Sequence, residues 1–292
     1  MTNKRRKIGI LGYGDVGKFL ADAIRNNENV SAATELAFVW NRSEDRLKAD
    51  AANLSNRYWL SGSDAGGAVA AWCAAGGEVD LIVETSHPGV IREHGVKLLS
   101  IADLMVGSPG AFANAATEGA MRRAAATSHG CYIPSGASWG VSDIAKMDRL
   151  DRLTSLTVTM SFHPDSIRDP AEPIRSTMAA YLASRDDDNF VLYEGPVRDI
   201  CAMAPNNVNT MACLSMAASS LGFDRVRGVL VTGRKLSAHI VEIEVRGPDG
   251  FHVMTRRYNP SAHGAVTGNA TFATFLGSLL LAGGQGPGIH FC

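Results

Sequence analysis

The spacing Gly12-Tyr-Gly14-Asp-Val-Gly17 is that of a loop that receives a pyrophosphate. The first glycine permits a tight turn, the second lets the phosphates approach the backbone, and the third lets a helix pack closely on the preceding strand. Free N–H groups at the helix start then face the anion. Gly12, Gly14, Asp15, Val16 and Gly17 are therefore the expected cofactor contacts. At the end of the next strand an NAD-specific site carries an acid for the ribose hydroxyls. This chain has Asn41-Arg42-Ser43 instead. Arg42 could pair with a 2′-phosphate and Ser43 could add a hydroxyl, so the expected cofactor is NADP or NAD. Glu44 and Asp45 follow where a helix begins, and their bland role is to favour its N-terminus.

Proton transfer is the second chemistry to look for. His239 stands at the entrance of a strand-like stretch, Ile240 to Val245, and imidazole titrates near neutrality. The chain has eight histidines, so a lone one says little. His87 is the main rival, because it follows the apolar run ending at Glu84, and ligands gather at strand carboxyl ends in open parallel sheets. Its bland reading is a turn residue ahead of Pro88. His163 could meet a substrate or be a polar loop residue. No HExxH or comparable spacing is present, and no metal is expected. Asn206, Asn207 and Asn209 precede the helical apolar run Met211 to Leu221. One asparagine could cap that helix, but three exceed one cap, so at least one is expected to bond a ligand. Ser108-Pro109-Gly110 reads equally as an ordinary turn or as part of a nicotinamide pocket.

Alternating strands and helices must position these groups. Lys7 to Leu11, Glu35 to Asn41, Val79 to Glu84, Ala102 to Gly107 and Gly130 to Ile133 are apolar runs of strand length. Helical spacing separates them, with Ser43, Asp64 and Asn114 at helix starts. Continuous apolar strands alternating with helices predict a parallel sheet covered on both faces. Residues 1–135 are thus expected to form a Rossmann-type domain. After Pro134-Ser135-Gly136 the pattern becomes α+β, with strand-like stretches at Leu153 to Ser161, Val226 to Val231, Ile240 to Arg246 and Phe251 to Tyr258. Pro248-Asp249-Gly250 marks a hairpin between the last two. Residues 136–263 are expected to form an α+β catalytic domain with a mostly antiparallel sheet. His163 to Asp188 is a polar excursion with a helix near Ser176 to Ala183. The C-terminal helical segment 264–292 is free to pack back on the first domain.

Composition bounds the rest. The 292 residues are 46% hydrophobic and 20% charged with net charge -1, which suits two ordinary globular domains and argues against nucleic acid as a partner. The run Lys4-Arg5-Arg6-Lys7 is read as a solvated strand start rather than a targeting patch. No leader peptide is expected, and apolar stretches fall short of the roughly 20 residues of a membrane span. Five cysteines without CxxC spacing suit reduced thiols in the cytoplasm.

Taken together, the chain resembles the L-aspartate dehydrogenase family, and more closely its animal branch, the aspartate dehydrogenase domain-containing proteins. The resemblance rests on Ile8 to Gly17, Asp80 to Gly89 (DLIVETSHPG), Val106 to Ala113 (VGSPGAFA) and Tyr132 to Ile144 (YIPSGASWGVSDI). It continues in Ala204 to Ala212 (APNNVNTMA), His239 to Val245 and Pro287 to Cys292 (PGIHFC). It implies a Rossmann domain, an α+β catalytic domain and NAD(P)-dependent oxidative deamination of L-aspartate to oxaloacetate and ammonia through an imine, within amino-acid metabolism and NAD biosynthesis. It further implies His239 as the catalytic acid–base, cofactor contacts from Ala137 and Asn207, and a homodimer. Bacterial members carry Lys-Pro-Pro where this chain has Phe162-His163-Pro164-Asp165. A dicarboxylate needs cationic partners, for which Arg168, Arg175, Arg234 and Lys235 are candidates, each equally readable as a solvated charge. Two other functions fit the same residues: another NADP-dependent imine or semialdehyde reductase, and a catalytically silent cofactor-binding regulator.

Overall fold

The computed structural model describes residues 4–184, 188–265 and 268–292. Parts of the expected excursion (185–187) and of the expected C-terminal segment (266–267) lie outside the described residues. In chain order the strands are β1 (Arg6–Leu11), β2 (Thr34–Asn41), β3 (Trp59–Ser61), β4 (Leu81–Glu84), β5 (Asp103–Val106), β6 (Gly130–Ile133), β7 (Ser155–Phe162), β8 (Phe190–Pro196), β9 (Arg227–Thr232), β10 (Ala238–Arg246), β11 (His252–Pro260) and β12 (Gly288–Phe291). The helices are α1 (Asp15–Asn26), α2 (Glu28–Ser31), α3 (Glu44–Lys48), α4 (Ala65–Ala74), α5 (Pro88–Leu99), α6 (Ala115–Ala125), α7 (Val141–Arg149), α8 (Ile174–Ala183), α9 (Val197–Met203), α10 (Asn209–Ala217), α11 (Gly222–Arg225) and α12 (Asn269–Leu281).

The first sheet has seven strands in the order β12-β6-β5-β4-β1-β2-β3, all paired in parallel. Side chains alternate across it. Ile8, Ile10, Leu81 and Val83 pack on one face with Leu20 and Ile24 of α1 and Phe275 and Leu279 of α12. Ile82, Leu104, Cys131 and Phe38 pack on the other with residues of α4, α5 and α6. Each such fully buried Leu, Ile or Phe contributes about 1.5–3 kcal/mol. Gly9 is needed within β1, because a Cβ there would meet the Phe38 ring at 2.2 Å. Asp64 caps α4 through Gly67 N–H at 2.7 Å, and Asn114 caps α6 through Thr117 N–H at 2.9 Å. Ser43 precedes α3 without a side-chain cap bond, and α3 is short, ending at Lys48.

The second sheet has the order β11-β10-β7-β9-β8. All its pairings are antiparallel except β7 with β9, so the expectation of a mostly antiparallel sheet is met. The β10–β11 hairpin turns at Pro248–Gly250, with Asp249 and Gly250 at φ 58° and 78°. Three strands had no clear sequence signal. β3 has only three residues, β8 is a mostly exposed edge containing Gly195 and Pro196, and β12 is a half-buried edge beginning at Gly288. β3 and β12 show neither the alternation nor the sustained apolar run that marks a strand, and the apolar run of β8 is limited to residues 190–193.

Candidate active site

The turn from β1 into α1 has the geometry its glycines predict. Gly12 sits at φ +107°, and a Cβ there would meet Ser86 at 2.8 Å. Gly17 packs so tightly that a Cβ would fall 2.0 Å from the Gly12 carbonyl oxygen. Gly14 is different: nothing lies within 4 Å of its Cβ position, and α1 starts there without a side-chain cap. An open approach over uncapped helix N–H groups is what a pyrophosphate requires. Val16 faces the adjoining cavity, whereas Asp15 is an exposed residue of the first helical turn. Asn41 is used locally, accepting from Tyr13 N–H at 3.4 Å and donating to the Ser43 carbonyl at 2.8 Å. Arg42 and Ser43 are exposed at the end of β2.

A cavity of about 440 Å³ lies where the two sheets face each other. The loops of the first sheet contribute Val16, Ser86 and Ser108 to its lining, the crossing segment contributes Ala137, and the second half of the chain contributes Asn209, His239 and Arg257. The volume is within the usual range of small-molecule sites.

His239 is only 7% exposed. It pairs across the hairpin with Asn259, and the Phe162 ring meets it edge-on at 4.8 Å. Its Nε2 lies 2.9 Å from the Ala265 carbonyl oxygen. A carbonyl only accepts, so Nε2 carries a proton and the neutral ring keeps Nδ1 as its acceptor. Burial pushes the imidazole below its ordinary pKa, while the Ala265 carbonyl opposes that shift. The neutral, proton-accepting form therefore prevails at neutral pH.

The rival His87 is a helix cap. Its Nδ1 accepts from Gly89 N–H at 3.1 Å, and it is not among the cavity-lining residues. His163 plays the same part for the turn Pro164–Ser166, accepting from Asp165 N–H at 3.2 Å.

The three asparagines divide their work. Asn207 is buried and committed to the neighbouring loop: its Oδ1 accepts from Arg168 N–H at 3.1 Å, and its Nδ2 donates to the Ser166 carbonyl at 2.8 Å. Asn206 donates to the Arg168 carbonyl at 3.4 Å. All three line the cavity, but of the three Asn209 alone has a buried Oδ1 with no partner among the described residues. A buried acceptor left bare is a place for a ligand donor. Of the cations expected from sequence, Arg168 lines the cavity, while Arg175, Arg234 and Lys235 do not. Arg234 instead closes the end of α8 by donating to the Tyr181, Leu182 and Ser184 carbonyls.

Two residues carry more than sequence reasoning assigned. Arg257, inside the strand Phe251 to Tyr258, lines the cavity and donates to the Gly136 carbonyl at 2.9 Å. Burial lowers its pKa, so an anion beside it would relieve the desolvation. A period-2 reading of β11 would have put it on the same face as Thr255. Glu84 ends β4 and is fully buried. Its carboxylate accepts from Ser86 N–H at 2.7 Å, Ser86 Oγ at 3.0 Å, Ser108 N–H at 2.9 Å and Ser108 Oγ at 3.1 Å. Burial holds its pKa above the usual carboxylate range, against those four bonds. The acid at the end of an otherwise apolar strand was the available signal.

Comparison with known proteins fits this geometry. Residues 12–134 match the NAD-binding domain of homoserine dehydrogenase, and residues 143–278 match the C-terminal domain of aspartate dehydrogenase. The aspartate dehydrogenase domain-containing protein of Xenopus tropicalis is 42% identical over the full length of both chains, and that of Danio rerio 40%. The chain belongs to the aspartate dehydrogenase family. L-aspartate dehydrogenase of Methanococcoides burtonii is 30% identical over 84% of this chain and 85% of its own. The crystal structure of aspartate dehydrogenase from Thermotoga maritima shares the fold, with TM-score 0.67 at 15% identity over 97% of this chain and 98% of that one. The family and its NAD-binding domain make the chain an oxidoreductase that uses NAD or NADP. The glycine cradle and the bare Asn209 acceptor fit such a cofactor.

Glu84 is expected to hold two cavity loops in place. Glu84→Gln puts an amide donor among groups that already donate, and each unmet buried group costs about 1–3 kcal/mol. The variant should melt several degrees lower and bind NAD(P)H more weakly by fluorescence titration. A variant matching the parent chain in both would remove Glu84 from this role.

Proposed function

We propose that this chain catalyses the NAD(P)-linked oxidative deamination of L-aspartate, giving oxaloacetate, ammonium and reduced cofactor. The observation that carries the reading is one cavity holding a buried neutral imidazole, His239, and two guanidinium groups, Arg168 and Arg257, next to the glycine cradle. Family membership supports it.

A dicarboxylate amino acid complements that cavity. The planar guanidinium forks of Arg168 and Arg257 can pair with carboxylates. Asn209 Oδ1 accepts an N–H from the bound cofactor amide or from the substrate nitrogen. When bound, the nicotinamide supplies the acceptor for the hydride leaving Cα. His239 Nδ1 first takes a proton from the substrate ammonium, which frees the nitrogen lone pair. Loss of hydride leaves a Cα=N bond. After releasing that first proton to solvent, His239 takes a proton from the water that adds to this bond and returns it to the nitrogen of the resulting carbinolamine, and the hydroxyl proton leaves as C–N cleavage gives oxaloacetate and ammonium. Arg42 and Ser43 meet the 2′-phosphate of NADP at the end of β2.

Purified protein with L-aspartate and either oxidised cofactor should develop absorbance at the reduced-nicotinamide band, as should the reverse mixture lose it. Cofactor binding without turnover of either mixture would favour the regulatory reading. Turnover of other imines or semialdehydes alone would favour the reductase.

His239→Asn should lower turnover by roughly a hundredfold to ten-thousandfold, the loss typical of removing a general acid–base. The sign of the pH effect follows from the imidazole. Protonated His239 cannot accept a proton, so oxidation should fall as pH drops through a pKa below the ordinary 6.5. That acidic limb should be absent from the Asn variant. His87→Ala is the control: a loss of turnover there, with His239→Asn active, would give the role to His87.

Arg42→Ala should weaken NADP by on the order of tenfold to a hundredfold, since a charged hydrogen bond is worth about 1.5–3 kcal/mol. NAD affinity should hardly change. Equal losses for both cofactors would show that Arg42 does not read the phosphate.

A further inference from the structure

Three metal-ligating groups that the reaction does not use meet beside the cavity. His163 follows β7, Asp165 lies in the turn Pro164–Ser166, and His263 comes from the segment between β11 and α12. Asp165 Oδ2 is 2.7 Å from His263 Nε2 and 3.7 Å from His163 Nδ1. The two imidazole rings are 4.5 Å apart between centroids. One donor atom from each residue lies within 4.8 Å of the other two.

We propose that His163, Asp165 and His263 bind a single divalent transition-metal ion of the zinc class. Two imidazoles and one carboxylate suit zinc, nickel or copper rather than magnesium or calcium, which prefer all-oxygen shells. In a tetrahedral shell with bonds of about 2.0–2.1 Å, neighbouring donors stand roughly 3.3–3.4 Å apart. The present separations of 2.7 and 3.7 Å bracket that spacing. Asp165 and His263 have exposed side chains that can rotate by the small amount required. His163 Nδ1 already presents a lone pair, since it accepts from Asp165 N–H. An ion takes the place of that loose 3.2 Å contact. The fourth position is left to water.

The site sits on the segment that holds His239. Gly264, next to His263, accepts from Arg168 Nη2 at 3.5 Å, and Ala265 accepts from His239 Nε2 at 2.9 Å. An ion tying His263 to the end of β7 therefore braces the carbonyl that fixes the His239 ring. The effect on turnover rests on the role proposed above for His239, whereas binding of the ion does not.

The test is calorimetric titration of the untagged full-length protein with zinc chloride, alongside magnesium chloride. One equivalent of zinc should bind and magnesium should not. His263→Ala and His163→Ala should each weaken zinc by at least about tenfold, because even an outer-shell partner is worth that much. Metal-free melting of the exposed His263→Ala variant should match that of the parent, showing that its fold is intact. Zinc should slow hydrogen exchange of residues 261–265 in the parent and not in His263→Ala. Absence of binding, or binding that survives either substitution, overturns the site; the second outcome would place the ion on the cysteines or other histidines.

Discussion

The Glu84 carboxylate is the constraint on which the cofactor half of the site depends. Its four hydrogen bonds join the loops leaving β4 and β5. Without it, two parallel strands would release two independent loops, and their buried N–H groups would need other partners. The consequences pass along the chain of contacts. Ser86, held by Glu84, lies so close to Gly12 that only glycine fits there. The Gly12 carbonyl in turn excludes any side chain at Gly17. Gly107 belongs to the same cluster, since its Cβ would meet the Glu84 carbonyl oxygen at 2.3 Å. One buried acid thus fixes how near β1, β4 and β5 can bring their ends, and with it the shape of the phosphate turn.

The other half of the cavity works by burial rather than by ties. Desolvation acts on both His239 and Arg257, lowering the pKa of each. The results differ because their reference values differ. Imidazole starts near neutrality, so a downward shift makes it a neutral base. Guanidinium starts so high that it stays charged, and the unmet desolvation becomes an incentive to bind an anion. The same physical change prepares one group for proton transfer and the other for recognition.

The sequence made some of this plain. Parallel strands fully buried on both faces leave continuous apolar runs, and the glycine spacing has few alternatives between a strand and a helix. β3, β8 and β12 escaped because short or exposed edge strands need little apolar pattern. Asn207 and Asn209 could not be distinguished in sequence: a side chain's free or occupied state depends on loops that fold against it, here Ser166 to Arg168. Arg257 was hidden in an alternating strand, where a charged residue reads as solvent-facing until a second element covers it. His163 and His263 are far apart in sequence, so their meeting is a product of topology alone.

That topology also explains why the last part of the chain belongs to the site. After β11 the chain returns to the first sheet, where α12 packs Phe275 and Leu279 into its core and β12 extends its edge beside β6. Ser135 N–H donates to the Cys292 carbonyl at 2.6 Å, so the tail braces the segment that crosses between the sheets. Gly136 and Ala137 of that segment line the cavity, as do Thr271 and Phe275 of α12. The two sheets are therefore joined covalently twice, after β6 and before α12. Ala265 lies on the second connection and holds His239 of the second sheet. Under the proposed chemistry, the position of α12 and the orientation of the base are coupled, because the connection that brings α12 to the cavity wall also carries the hydrogen-bond acceptor of the imidazole.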